Sequence, residues 1–154
     1  MIPPPSSDSP VSRRALPHAR SEYPHFLPIA TRWIDNDVYG HVNNVVYYSW
    51  FDTVVNEYLI SQCVLDIINS PVIGLVVETG CSYFASVAFP DKIDAGLRVA
   101  RIGKSSVRYE VALFPSGANE AVAQGHFVHV YVDRATRKPQ SLPAPLLMAL
   151  NKIR

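Results

Sequence analysis

Between Asn43 and Gln62 the apolar residues recur at helical spacing. Tyr47, Phe51, Val54 and Tyr58 follow one another at four, three and four residues, with Tyr48, Val55 and Leu59 beside them. Ser49, Thr53, Asn56 and Glu57 fill much of the other side. This spacing predicts a helix about 30 Å long with a broad apolar face that calls for a concave partner. On either side of it the period drops towards two. Phe26–Trp33 reads as a first strand, with Ile29 and Trp33 among its apolar positions, and the polar stretch Asp35–Gly40 follows as a loop. After Pro71, the residues Ile73, Leu75, Val77, Thr79, Cys81 and Tyr83 occupy alternate positions, the repeat of a strand. Pro90 breaks that run, Ile93–Ile102 forms the next strand, and Gly103 opens a turn into Val107, Tyr109, Val111 and Leu113. The loop Pro115–Asn119 is a hairpin signal. It leads into Ala121–Asp133, where Val122, Gln124, His126, Val128, Val130 and Val132 alternate. The chain turns at Arg134–Pro139 and closes in a short helix over Ala144–Lys152.

The order is thus strand, long helix, then four strands with short connections, which favour antiparallel pairing. One helix laid on one curved antiparallel sheet buries both apolar faces, an α+β arrangement. A sheet of this size around a single helix keeps an open edge, so a homo-oligomer is expected. The folded domain spans residues 25–154. Residues 1–24, rich in Pro, Ser and Arg, read as an unstructured leader.

Composition narrows the function. The chain has 154 residues, 48% of them apolar and 18% charged, and its 14 Lys and Arg nearly cancel its 13 Asp and Glu. A net charge of +1 argues against a nucleic-acid coat or a membrane bound through an overall field. No apolar run approaches the ~20 residues of a membrane span. Cys63 and Cys81 sit in apolar runs outside any metal or redox spacing, which predicts two buried thiols in a reducing, cytoplasmic setting. His126 and His129 fall on opposite faces of one strand, so they cannot share a metal, and no metal site is expected. Glu78 in its apolar strand reads as a paired structural carboxylate.

The chemistry concentrates in Arg32–Tyr48. A carboxylate, Asp35 or Asp37, precedes a helix start at Val42–Asn44, whose free N–H groups could polarise a carbonyl and stabilise an oxyanion. His41, Asn43 and Asn44 could hold a water or orient the carboxylate, and Gly40 permits a positive φ or a close backbone approach. Asp and Asn before a helix are also ordinary caps. The residues alone leave both readings open.

The string RWIDNDVYGHVNNVVYYSWFD resembles the D-x-D-x-x-G-H-V-N-N-x-x-Y signature of the 4-hydroxybenzoyl-CoA thioesterase-like family. The likeness runs from about Phe26 to Leu150, through ETGCSYFASVAFPDKI, RIGKSSVRYE, EAVAQG and VDRATRKPQSLP. It implies a hotdog fold, a homodimer or homotetramer with sites at the subunit interface, and hydrolysis of acyl-CoA or related thioesters. It implies that Asp37 is the catalytic carboxylate, as general base or as nucleophile, and that the N–H near Asn44 holds the thioester oxygen. His41 and Asn43 take the H-V-N-N positions, where they orient Asp37 or water or cap the helix. Asp35 is expected to fix the loop, and Tyr39 and Gly40 to border the acyl group. Coenzyme A enters only as part of the substrate, with no separate cofactor. Its phosphates would need cations: Arg101, Lys104 and Arg108 with Ser105 and Ser106 form one candidate cluster, and Arg134, Arg137 and Lys138 a second. An acyl-carrier-protein thioesterase and a non-catalytic acyl-CoA sensor remain the alternative functions on the same fold.

Overall fold

The computed structural model describes residues 15–154. Its spine is α1, Asn44–Ser61, whose 18 residues reach about 27 Å. Five strands wrap it: β1 (His25–Ala30), β2 (Val72–Tyr83), β3 (Lys92–Ile102), β4 (Ser106–Pro115) and β5 (Ala123–Asp133). They form one sheet in the order β1-β3-β4-β5-β2, and every neighbouring pair is antiparallel. A second helix, α2 (Ala144–Asn151), closes the chain. The expected α+β layering is therefore present, with element limits within a few residues of those read from periodicity.

The core is the contact between α1 and the concave face of the sheet. Tyr47, Trp50, Phe51, Val54, Val55, Tyr58 and Leu59 are buried along the helix. Opposite them stand Ile93, Ala95, Leu97 and Val99 of β3, and Val107, Tyr109, Val111 and Leu113 of β4. On β5 the face turned to the helix carries Ala123, Phe127, His129 and Tyr131, so the alternating valines and His126 lie on the outer face. Gly125 shares the inner face. A Cβ there would collide with the Phe51 ring and the Gly80 carbonyl, so the gap lets the helix lie close to the sheet. His126 and His129 do lie on opposite faces. Glu78 is paired as expected, accepting from His126 Nε2 at 2.9 Å and facing Arg108 at 3.5 Å.

Three local expectations change. The first strand ends at Ala30, where pairing with Lys92 stops; Trp33 lies instead in a one-turn 3-10 segment, 80% exposed, its ring edge-on to Phe89. Cys63 is exposed rather than buried. It terminates α1 with φ of 56°, donating to the Ile60 carbonyl while Val64 donates to Leu59, which is the Schellman closure of a helix. Residues 1–14 of the expected leader lie outside the described residues. The segment from Leu16 to Pro24 packs on the outer face of the sheet, where Tyr23 is buried with Phe114, Ala112 and Ala121. Arg20 adds an ion pair to Asp94 and lies over the Phe26 and Phe114 rings. Backbone bonds join the segment to the sheet as well: His18 N–H donates to the Gln124 side chain at 2.7 Å and Arg20 N–H to the Asn119 carbonyl at 2.8 Å.

His129 is buried among Tyr109, Phe127 and Tyr131, and its Nε2 has no hydrogen-bond partner among the described residues. Burial pushes its pKa down from 6.5 to about 4. The unfolded chain takes up this proton first as the pH falls, so stability is full above about 6.5 and drains away towards 4. The slope is at most about 1.4 kcal/mol per pH unit. Urea unfolding between pH 7 and 4.5 is expected to show this loss, and His129→Gln to flatten it.

Candidate active site

The path from β1 to α1 is held by its own backbone. Asp37 N–H donates to the His41 carbonyl at 2.8 Å, and Gly40 N–H returns to the Asp37 carbonyl at 3.1 Å, closing a turn. Gly40 sits at φ +81° with open space where a Cβ would stand, so conformation rather than close approach requires glycine there. Asn36 and Val42 form an isolated antiparallel bridge, and the Asn36 side chain accepts from Phe89 N–H at 3.0 Å. Val42 N–H donates to Val87, which ties the same turn to the segment after β2.

The two aspartates have separate jobs. Asp35 is 1% exposed. Its carboxylate accepts from Arg32 N–H at 2.7 Å and from the Arg32 guanidinium at 2.8 and 3.0 Å, while its carbonyl accepts from Asn43 N–H at 2.9 Å. It fixes the loop to the start of the helix, as expected of a structural carboxylate. Asp37 is half-buried on the turn, and its Oδ1 accepts from Tyr39 N–H at 2.9 Å. Its other carboxylate oxygen accepts no protein hydrogen bond among the described residues, and is open to a water or a substrate.

Asn43 is the N-cap of α1: its side chain accepts from Val45 N–H at 3.1 Å and its carbonyl from Val46 N–H at 2.9 Å. Asn43 thus caps the helix in this structure. The first helical N–H, of Asn44, has no protein acceptor among the described residues, so the positive end of the helix presents one free donor. His41 and Tyr39 are exposed on the turn.

Beside that N–H lies an open cleft of about 300 Å³ walled by Val42, Asn44, Tyr47, Tyr83, Phe84, Ala85 and Ser86. Asp37 is not one of its walls; its turn is tied to the cleft through the Asn36–Val42 bridge. Tyr47 meets Tyr83 edge-on at 5.0 Å between ring centres, and the Tyr83 hydroxyl donates to the Asn44 carbonyl at 3.1 Å. Burial pushes the nearby Cys81 thiol up to about 11, so it is protonated at neutral pH. The walls from Tyr83 to Ser86 carry no side-chain chemistry that marks them in a sequence. The signal available was the turn-rich stretch between the β2 alternation and Pro90.

The basic candidates lie elsewhere. Arg101 is the penultimate residue of β3, Lys104 and Ser105 form the turn and Ser106 opens β4, with Lys104 and Ser105 carbonyls accepting from Leu142 and Tyr131 N–H. Lys92, at the opposite end of β3, pairs with Ala30 just before the Asp35–Asp37 loop. The 11 residues of β3, roughly 35 Å, thus separate this basic turn from Asp37 within one chain. Arg134 is engaged with the Ser70 and Ile67 carbonyls. Among the described residues no cluster of three or more His, Cys, Asp or Glu is placed to hold a metal ion.

One curved antiparallel sheet wrapped around one long helix is the hotdog arrangement. A family model of the thioesterase-like superfamily matches residues 31–150, and the chain belongs to that family, a class of thioester hydrolases. The PA5185 protein of Pseudomonas aeruginosa strain PAO1 is 56% identical, with 90% of this chain and 96% of that chain covered and a TM-score of 0.88. The fold recurs in Slr0204, a 1,4-dihydroxy-2-naphthoyl-CoA thioesterase from Synechocystis (17% identity, 82% and 94% covered, TM-score 0.75). It recurs again in the DHNA-CoA thioesterase of Staphylococcus aureus (22% identity, 83% and 89% covered, TM-score 0.72). A comparison with curated proteins gave no match.

Replacing Asp35 by Ala removes the buried anchor of the loop and leaves the Arg32 N–H without its acceptor. A loss of about 2 kcal/mol in urea or thermal unfolding is expected. Stability equal to that of the unmodified protein would show that the loop does not depend on this carboxylate.

Proposed function

We propose that the protein hydrolyses acyl-CoA thioesters, with Asp37 as the reacting carboxylate and the Asn44 N–H as the donor to the thioester oxygen. The observation that carries this reading is the free N–H at the start of α1, on the wall of an apolar cleft and joined to the Asp37 turn through the Asn36–Val42 bridge. A thioester carbonyl placed on that N–H would put its acyl group along Tyr47 and Tyr83. As general base, Asp37 takes a proton from water as the water oxygen bonds the acyl carbon. Negative charge then builds on the carbonyl oxygen facing the helix dipole, and the carbon–sulfur bond breaks to release the CoA thiolate, which is protonated. As nucleophile, the carboxylate itself bonds the acyl carbon and expels the thiolate, and water then cleaves the mixed anhydride. Both routes use water and protein groups alone. The acyl-CoA thioesterases among the structural relatives make coenzyme A the carrier we favour over acyl carrier protein. The two free cysteines agree with a cytoplasmic location.

The working unit in this reading is a homodimer joined at β2. That strand is an edge of the sheet, and Leu75, Val76 and Val77 are exposed on it. An unpaired apolar edge is a template for a second copy. A two-fold antiparallel pairing of β2 with itself reverses the partner end for end. The partner's turn from Arg101 to Ser106 would then lie at the same end of the joined sheet as Asp37, within reach of CoA phosphates that the same chain's turn cannot meet.

Asp37→Asn is expected to lower kcat on acyl-CoA by about a hundredfold or more while the circular dichroism and oligomer stay unchanged. An unaltered rate would remove Asp37 from the mechanism. Tight binding of acyl-CoA without turnover in the unmodified protein would instead favour a sensor. Val77→Lys places a charge in the middle of the open edge. Light scattering should then report the monomer mass, with activity lost alongside, and a variant that stays dimeric would place the interface elsewhere.

A further inference from the structure

Tyr83 stands at the end of β2 and reaches across to the first turn of α1. Its hydroxyl donates to the carbonyl oxygen of Asn44 at 3.1 Å, and it is the side chain of β2 that hydrogen-bonds the helix start. The same residue supplies the free N–H and receives this bond. Upstream, the Asn43 N–H is held by the Asp35 carbonyl at 2.9 Å, so the Asn43–Asn44 segment is gripped from the loop on one side and from the sheet on the other. The Tyr83 ring meanwhile forms a wall of the cleft against Tyr47.

We infer that Tyr83 is a positioning residue for thioester hydrolysis, its hydroxyl holding Asn44, and with it the donor N–H, in place against the cleft wall at the end of β2. The inference rests on the acyl-CoA thioesterase reading. Electrostatic stabilisation of a developing oxyanion depends on a donor already aimed before charge appears, because any reorientation during reaction subtracts from its effect. A helix end frays when nothing holds its first turn. The Asn43 cap secures the N–H groups of Val45 and Val46, and the peptide that carries the Asn44 N–H is held through its Asn43 carbonyl; the Tyr83 bond acts on the following peptide, at the Asn44 carbonyl, and fastens that first turn to β2. The Tyr83 phenol suits this task. Desolvation, with Cys81 and Tyr48 beside it, pushes its pKa far above the ordinary tyrosine value, so it remains a donor throughout the working range of the enzyme.

The test compares the full-length protein with Tyr83→Phe and Tyr83→Leu, using a panel of short, long and aromatic acyl-CoA substrates. Tyr83→Phe keeps the ring and deletes the hydroxyl. It is expected to lower kcat by roughly tenfold with KM within about twofold and the melting temperature nearly unmoved, because the lost interaction acts in the transition state. Tyr83→Leu also deletes the wall, so KM should rise as well. A purely structural tyrosine would show the reverse, a lowered melting temperature with kcat preserved in the folded fraction. An active unmodified protein with a Tyr83→Phe variant within twofold in kcat overturns this inference alone. An unmodified protein inactive on every acyl-CoA overturns the thioesterase reading and this inference with it.

Discussion

The contact between the aromatic face of α1 and the concave side of the sheet sets the geometry of everything else. Phe51 can reach the sheet because Gly125 has no side chain and because β2 and β5 pair closely at Gly80. Around it Tyr47, Trp50, Val54, Val55, Tyr58 and Leu59 leave water together, so the depth and rotation of the helix are fixed by packing along most of its length. Shifting the helix by even one residue would expose part of that surface and force bulky rings onto backbone. The N-terminus of α1 is therefore delivered to one place at the rim of the sheet, and the site is assembled where it arrives.

Local hydrogen bonding then completes what packing has placed. Asp35 ties the loop to Arg32 through its side chain and to Asn43 through its carbonyl, Val42 is pinned to Val87, and Tyr83 holds Asn44. These are short-range bonds between groups that share one small region. They give a rigid frame in which Asp37 and the Asn44 N–H keep a fixed relation, although the turn bearing Asp37 is open to solvent. Around that turn Trp33, Ile34, Val38 and Tyr39 are exposed. The site thus combines a rigid polar centre with an apolar rim, which suits a thioester whose acyl end is apolar and whose carrier end is charged. The outer face of the sheet is organised differently, with Glu22, Arg98, Glu110, Arg108 and Glu78 linked in a chain of alternating charge that ends against the His126 ring. Partly exposed pairs of this kind contribute little stability each, so the fold depends on the buried side.

Much of this was readable from residue order. The four-three-four spacing of Tyr47, Phe51, Val54 and Tyr58 specified the long helix, and strict alternation in Val107–Leu113 specified an inner and an outer face. Both are periodicities that a backbone imposes directly on which residues meet the core. The resemblance carried by Asp37 to Asn44 identified the thioesterase class, and Gly40 and Asn43 behave as turn and cap chemistry require. Trp33, Cys63 and Tyr23 were misplaced for one shared reason. Each looks apolar or polar by its neighbours in the chain, but its burial is decided by where a strand stops pairing, where a helix closes, or which distant ring it covers.

By itself, then, the sequence determined the α+β architecture, the helix start beside a carboxylate turn, and the family, because these rest on local conformation and short-range spacing. Only the tertiary structure decided that β5 turns Phe127, His129 and Tyr131 inward rather than its valines, since the choice of face depends on fitting large rings around Gly125. Only it separated Arg101 and Lys104 from Asp37 by the length of β3, and brought Tyr83 from the end of β2 onto Asn44. Those relations join residues 39 or more positions apart, and no local pattern encodes a distance that exists only after the chain has wrapped around its helix.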